Sequence, residues 1–248
     1  MQLNNLIATR ARKKVYRDGD LAIKLFEKGY SKADILNEAL NQARVEETTD
    51  LLIPKIQGVS VINDEWAIVM DFVEGTTLAS IIKDENDPNL EFFVDLHLTV
   101  HSKKVPLLNV LKHKITRQLG DCPAIDERAR YELLTRLESL PKHYKLCHGD
   151  FIPSNIVIAK DQKPYILDWS HATQGNASAD VARTYLAMRL QGDLKIAERY
   201  LDLYCEKSKT LKSYVQGWMP IVAAAQLSKE IPQEKEFLSS WINIFDYE

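Results

Sequence analysis

Leu146-Cys147-His148-Gly149-Asp150-Phe151-Ile152-Pro153-Ser154-Asn155-Ile156-Val157-Ile158-Ala159-Lys160-Asp161-Gln162-Lys163-Pro164-Tyr165-Ile166-Leu167-Asp168-Trp169 is the stretch around which this chain is organised. Two short apolar runs, Ile156 to Ala159 and Tyr165 to Leu167, flank a polar turn at 160–164, which predicts a hairpin. A polar loop leads into the hairpin and a carboxylate closes it. That layout predicts that His148, Asp150, Asn155 and Asp168 meet at one end of it, with three oxygen-bearing side chains facing one point.

Phosphoryl transfer needs such a point. A carboxylate must orient the attacking hydroxyl, and hard oxygen ligands must hold Mg²⁺ against the phosphates, because the protein's task is positioning and charge neutralisation. Mg²⁺ keeps most of its positions for phosphate and water, so one Asn and one Asp suffice. The spacing His148-x-Asp150-x-x-x-x-Asn155, followed by an apolar strand ending in Asp168, is that of a kinase catalytic loop and metal-binding Asp. Asp150 is expected to accept the substrate hydroxyl's hydrogen bond, Asn155 and Asp168 to bind metal, and His148 to brace the loop. A lone His-x-Asp would read as a capped turn; the Asn and the second Asp distinguish the two.

Together with Ala179-Asp180-Val181-Ala182-Arg183-Thr184-Tyr185-Leu186, these residues resemble the aminoglycoside phosphotransferase and choline kinase family, whose fold is protein-kinase-like. The family usually has His-Pro-Gly-Asn where this chain has Ile152-Pro153-Ser154-Asn155. The resemblance implies an α+β, two-lobed protein, with a small antiparallel-sheet lobe at 1–72 and a mainly helical lobe at 73–248. It implies transfer of the ATP γ-phosphate to a hydroxyl of a small molecule, an aminoglycoside, amino alcohol or sugar-like acceptor, with Mg²⁺ required. Asp71-Phe72-Val73-Glu74-Gly75 resembles the hinge between lobes, where backbone groups of Asp71 and Val73 would read adenine. Asp180, at the start of a helix where an N-cap role is natural, would also hold the catalytic loop from behind.

In the N-terminal part, Val15-Tyr16, the turn Arg17-Asp18-Gly19-Asp20 and the run Leu21 to Phe26 predict short strands. Lys24 interrupts the last run, and a lysine inside an apolar strand is costly without an anionic partner. It is the candidate ligand of the α- and β-phosphates, with a snorkelling edge lysine as the other reading. Ser31 with Asp34 predicts a helix start, and Ile35, Leu36, Ala39, Leu40 and Ala43 its apolar stripe. Glu38 borders that stripe and is the candidate partner of Lys24. The loop at 7–14 contains no glycine, although kinases place glycines there so that backbone N–H groups can approach phosphate.

Beyond Thr77 the pattern is helical. His97 and His101 share a face at i, i+4 and read as core histidines, since no third ligand accompanies them in the sequence. Asp126 is expected to cap a helix ended by Pro141. Helices are also expected over 193–207, 210–228 and 233–245, with Pro220 to Ala225 as core.

Charge and cysteine usage exclude several classes. A net charge of -3 with 27% charged and 45% hydrophobic residues describes an ordinary globular chain and gives nucleic acid no footing as a partner. The three cysteines lack Cys-x-x-Cys spacing, and a zinc site from Cys147, His148 and His171 would need adjacent ligands that fit poorly. No apolar run approaches the ~20 residues of a membrane span, and 1–12 has no signal-like core, so a cytoplasmic protein is expected. Neither a Gly-x-Ser-x-Gly elbow nor a Gly-x-x-x-x-Gly-Lys loop occurs. The alternative from another class is a non-catalytic nucleotide-binding regulatory module, motivated by the glycine-free loop.

Overall fold

Two tight hairpins open the chain in the computed structural model, which describes residues 3–10 and 12–242. Strands β1 (Asn5–Arg10), β2 (Lys13–Asp18) and β3 (Leu21–Phe26) precede helix α1 (Lys32–Thr48). Then come β4 (Ile56–Ile62), β5 (Glu65–Asp71), β6 (Gly75–Thr77) and the short α2 (Leu78–Ile81). Helices α3 (Pro88–Ser102), α4 (Leu111–Gly120) and α5 (Glu127–Ser139) lead to β7 (Lys145–Cys147), β8 (Ile156–Ala159), β9 (Pro164–Ile166) and β10 (Thr173–Gly175). Helices α6 (Ala177–Leu190), α7 (Leu194–Ser208), α8 (Lys212–Gln216), α9 (Met219–Leu227) and α10 (Lys235–Ile242) follow.

The chain forms two compact units, one bounded as Met1–Ile81 and Pro153–Ala172, the other as Ile82–Ile152 and Thr173–Glu248. Compactness therefore groups the β8–β9 hairpin with the N-terminal sheet, whereas the lobes expected at 1–72 and 73–248 follow chain order.

The first unit is built on an antiparallel sheet of order β1-β2-β3-β5-β4. Asn63 and Asp64, with φ of 51° and 64°, make the two-residue left-handed turn that suits the twist of β4 and β5. On β3, Ile23 and Leu25 pack with Ala67 on one face, while Phe26 packs with Ile35, Ala39 and Ile68 on the other. Strand alternation puts Lys24 on the same side as Phe26, the side covered by α1. The second sheet, of order β6-β8-β9, carries the predicted hairpin. Gly75 lies so close to β8 that a Cβ there would overlap the Ile158 carbonyl, which excludes any other residue without a shift.

Helix α1 starts where expected, with Ser31 Oγ accepting from Asp34 N at 3.3 Å. Its buried face differs from the predicted stripe. Leu36 and Leu40 are exposed, and Glu38, Asn41 and Gln42 are buried beside Ile35, Ala39 and Val45. The polar side chains are tolerated because they have partners: Gln42 Nε2 donates to the Pro54 carbonyl at 2.6 Å, and Asn41 Nδ2 to that of Ser170 at 3.4 Å.

In the second unit α3, capped by Asp87, packs with α7, and its Phe93 stacks on Phe151 at 4.8 Å. Strands β7 and β10 pair antiparallel. Asp126 caps α5 as expected, accepting from Ala129 N at 2.7 Å. The cap of α6 is Asn176, whose side chain accepts from Ser178 N at 3.0 Å; Asp180 stands four residues further in and is not the N-cap. The helix expected over 210–228 is broken at Gly217 and Trp218 into α8 and α9, and every residue of α9 is buried. The helix expected to reach Phe245 is described to Ile242; Phe245 lies outside the described residues. No described helix is long and apolar enough to cross a membrane.

Candidate active site

The first unit gathers four of the predicted residues. Lys24 Nζ is ion-paired with Glu38 Oε1 and lies 3.2 Å from Asp168 Oδ2. The other Glu38 oxygen takes Lys13 Nζ at 2.8 Å, so one carboxylate bridges two ammonium groups. Burial alone would lower the Lys24 pKa, but Asp168 and then Glu38 outweigh it and hold the ammonium above the ordinary lysine range. For Asp168, desolvation would raise the pKa, yet Lys24 and then Lys13 keep the carboxyl well below its ordinary value. Both groups are therefore charged at neutral pH.

Asn155 closes a 3₁₀ turn (Pro153–Asn155), and its carbonyl accepts from Leu167 N at 2.7 Å. That bond ties the start of β8 to the end of β9, so Asn155 and Asp168 share one end of the hairpin, as the sequence predicts. Asp168 itself is left-handed, with φ 58° and ψ 69°. A non-glycine residue there is uncommon, although Asp is among those that tolerate it. Its Oδ1 is buried and has no hydrogen-bond partner among the described residues.

Asp71 and Val73 are placed apart from this cluster. Asp71 ends β5 opposite Leu21, three residues along β3 from Lys24, and its Oδ1 accepts from Gln57 Nε2 at 2.6 Å. Val73 lies in the connection from β5 to β6.

The second unit holds the loop that bears Asp150. Backbone N–H groups of His148 and Gly149 donate to Asp180 Oδ2 and Oδ1, each at 2.7 Å. Gly149 adopts φ 81°, a left-handed conformation that glycine takes without strain and that lets both N–H groups point the same way. His148 Nδ1 accepts from Asp150 N at 3.2 Å, bracing the loop from within. Phe151 anchors it further, stacked on His97 at 4.0 Å.

Asp180 is also the partner that sequence spacing could not supply to the two histidines. His97 Nε2 and His101 Nε2 each lie 3.2 Å from Asp180 Oδ2, while their Nδ1 atoms meet Tyr200 and Tyr204 hydroxyls at 2.8 and 2.7 Å. One assignment satisfies every group: each tyrosine donates to Nδ1 and each imidazole donates through Nε2. Burial, with His101 beside it, pushes His97 down to about 3, so it is uncharged at neutral pH. Burial opposes ionisation of Asp180 as well, but the His101 and His97 hydrogen bonds hold its carboxyl well below the ordinary range. The three side chains are close enough to ligate a metal ion, their candidate ligand atoms within 4.8 Å of one another, yet hydrogen bonding already accounts for their arrangement.

Three contributions were not read from the sequence. Lys13 joins Glu38 across the sheet, and Asn41, one helical turn beyond Glu38, grips the Ser170 carbonyl; i, i+3 spacing on α1 was the available signal for Asn41. Arg183, one turn beyond Asp180 on α6, places Nη2 3.7 Å from Asp150 Oδ1. Its spacing from Asp180 was the available signal there too.

Comparison with known proteins shows the family and the fold. Residues 9–218 match the model of the phosphotransferase enzyme family. No curated protein sequence matches. Among solved structures, a thermostable mutant of aminoglycoside phosphotransferase APH(4)-Ia in ternary complex with AMP-PNP and hygromycin B superposes with TM-score 0.74 at 13% identity, covering 98% of this chain and 93% of that one. Choline kinase LicA from Streptococcus pneumoniae gives 0.67 at 14%, covering 98% and 95%. Aminoglycoside-3'-phosphotransferase of type VIII gives 0.66 at 15%, covering 91% and 93%. The fold is thus the α+β kinase-like one expected from the sequence, with its antiparallel sheet N-terminal and its helices C-terminal. Since the family model runs from β1 to the threshold of α9 and does not rest on one motif, the chain belongs to the phosphotransferase enzyme family.

Proposed function

We propose that the protein transfers the γ-phosphate of ATP to a hydroxyl of a small molecule, with Mg²⁺ as cofactor. The observation that carries this reading is the state of Asp168: one carboxylate oxygen engaged by a buried lysine, the other buried without a hydrogen-bond partner among the described residues. The similar structures with AMP-PNP and hygromycin B, and the choline kinase, support ATP and a small-molecule acceptor as substrate classes.

A hard cation fits the residues present. Asp168 offers an oxygen with no hydrogen-bond partner among the described residues, and Asn155 at the same hairpin end offers a second hard donor, a set that suits Mg²⁺. Bound there, Mg²⁺ would neutralise phosphate charge. The chain's own residues do the rest. Lys24 binds the α- and β-phosphates and is kept aligned by Glu38; backbone groups of Asp71 and Val73 read adenine. Asp150 orients the acceptor hydroxyl and takes its proton, while His148 and Asp180 fix the loop that carries it. The functional lobes are 1–72 and 73–248, and the location cytoplasmic.

A second reading is a non-catalytic nucleotide-binding module, favoured by the absence of glycine from 7–14. One experiment separates them. The protein is incubated with Mg²⁺, γ-labelled ATP and a small-molecule extract of the source cells, with Asp150→Asn as control. Label in a low-mass product that depends on Asp150 is the expected result; ATP bound but never turned over favours the module.

A further inference from the structure

A cavity of about 110 Å³ lies in the second unit, where the start of α4, the connection from α5 to β7 and the start of α6 meet. Val110, Leu111, Leu140, Pro141 and Trp218 make its lining mostly apolar. None of the residues assigned to phosphoryl transfer lines it. Strands β7 and β10 pair with Thr173 opposite Cys147 and Gly175 opposite Lys145; the cavity takes in Tyr144 and Gly175, so it sits at the end of this ribbon away from His148. Two local features shape it. A Cβ on Gly175 would fall 2.5 Å from Leu111 Cβ, so only glycine lets α4 begin directly against β10. Lys112 Nζ donates to the Glu138 carbonyl at 2.9 Å and pairs with Glu138 Oε2 at 3.1 Å, which fastens the start of α4 to the end of α5.

The polar groups of the lining ask for an acceptor. Trp218 is only 3% exposed, and its Nε1 is buried with no hydrogen-bond partner among the described residues. An indole N–H can only donate, so nothing but an acceptor satisfies it. Asn176, the other buried polar side chain of the lining, is already spent: its Oδ1 accepts from Ser178 N at 3.0 Å and its Nδ2 donates to the Tyr214 hydroxyl at 2.7 Å. Helix α4 begins here with Val110 as its N-cap, a residue with no side-chain acceptor, so the first turn brings uncapped N–H groups and the positive end of the helix dipole to the cavity. His113, Lys142 and His143 stand exposed at the rim, and no Asp or Glu lines it.

We propose that this cavity is a second binding site, for a small cyclic carboxylate whose ring lies among the apolar residues and whose carboxylate meets the Trp218 N–H and the start of α4. An apolar lining with donors and no carboxylate favours an anion that carries an apolar body. A planar group with one charge and two oxygens matches one indole N–H and a helix end, whereas phosphate is better served by arginine, and no arginine lines the cavity. Size limits the occupant to a single ring: an apolar cavity of ~150 Å³ holds benzene, and this one is smaller but open at its rim. The site does not depend on the phosphotransferase reading above.

Benzoate is the probe, titrated into the full chain by calorimetry with and without saturating Mg²⁺ and AMP-PNP, while the indole N–H resonances are followed by NMR. Saturable binding is expected under both conditions, with movement of the Trp218 resonance, which is identified by its loss in Trp218→Phe. That variant keeps a ring and removes the N–H, and should weaken benzoate binding about tenfold. Lys142→Gln, an exposed change that leaves the core untouched, should weaken it about threefold. Benzamide, the neutral counterpart, should bind about tenfold less tightly than benzoate. Should Trp218→Phe not fold, Lys142→Gln and the benzamide comparison decide. The proposal is overturned by absence of saturable binding, by affinity unaltered in both variants, or by a Trp218 resonance that does not move. Benzamide binding as tightly as benzoate removes the anion from the claim, and inorganic phosphate binding as tightly removes the ring; either result overturns it. Displacement of benzoate by AMP-PNP also overturns it, by assigning the binding to the nucleotide site.

Discussion

Asp168 and Asp180 are both ionised against the cost of burial, by opposite means. Asp168 is held by the full charges of Lys24 and Lys13 and keeps one oxygen unclaimed. Asp180 is held by hydrogen bonds from two imidazoles and two backbone N–H groups, and each of its oxygens is engaged. A carboxylate held by an ion pair at one oxygen keeps the lone pairs of the other for a ligand; one whose two oxygens both take hydrogen bonds becomes a fastening. Under the proposed function, Asp168 is the working residue and Asp180 the positioning one.

The sharpest way to break this comparison is to remove each acid and ask what is lost. Asp168→Ala is expected to abolish most transfer and to weaken Mg²⁺–ATP binding, while the melting temperature changes little. Asp150→Asn is expected to lower kcat by roughly 10²–10⁴ and to spare ATP affinity, because it removes a proton acceptor and no nucleotide contact. Steady-state kinetics with a binding titration read both, and unchanged turnover in either variant would sink the assignment.

Asp180→Ala should invert that pattern. Four donors would lose their acceptor in a dry interior, a cost of about 3–5 kcal/mol. At a few degrees per kcal/mol for a chain of this size, calorimetry should see a fall on the order of 10 °C. An Asp180→Ala variant as stable as the wild type would show that the network does not fasten the loop.

Acid should loosen the Asp180 network. His97 has a folded-state pKa of about 3, below its ordinary 6.5, so between those values the unfolded chain binds the extra proton. Stability contributed by neutral His97 is present above pH 6.5 and lost as pH falls toward 3; Asp180 adds a further loss below its ordinary 3.8. Plotted against pH between 6.5 and 4, the melting temperature should fall less steeply in His97→Gln than in wild type. Equal slopes would exclude His97 as a contributor. The smallest effect is expected at Lys13→Met, which leaves Glu38 paired with Lys24 and should raise the ATP KM only a few-fold.

The sequence made the chemistry legible where residues were close along the chain. Asn155 and Asp168 meet because one hairpin joins them, and Lys24 faces Glu38 because strand alternation and helix periodicity are local rules. What spacing alone could not show was contact across long separations. The histidines of α3 find Asp180 some eighty residues away. The stripe of α1 misled for a related reason. Hydrophobicity puts Leu36 and Leu40 on that stripe, but the inward positions belong to Asn41 and Gln42, whose partners lie on other elements.

The discontinuity of the first unit has a consequence in time. Its sheet is finished once Asp71 has been made, but Gly75 must wait for Ala159 and Thr77 for Val157 before the second sheet can close. During synthesis at roughly 5–20 residues per second, that wait is on the order of ten seconds. Through that interval Asp168 has not yet been made, so the ion cluster that joins Lys24, Glu38 and Asp168 in the folded chain cannot be complete.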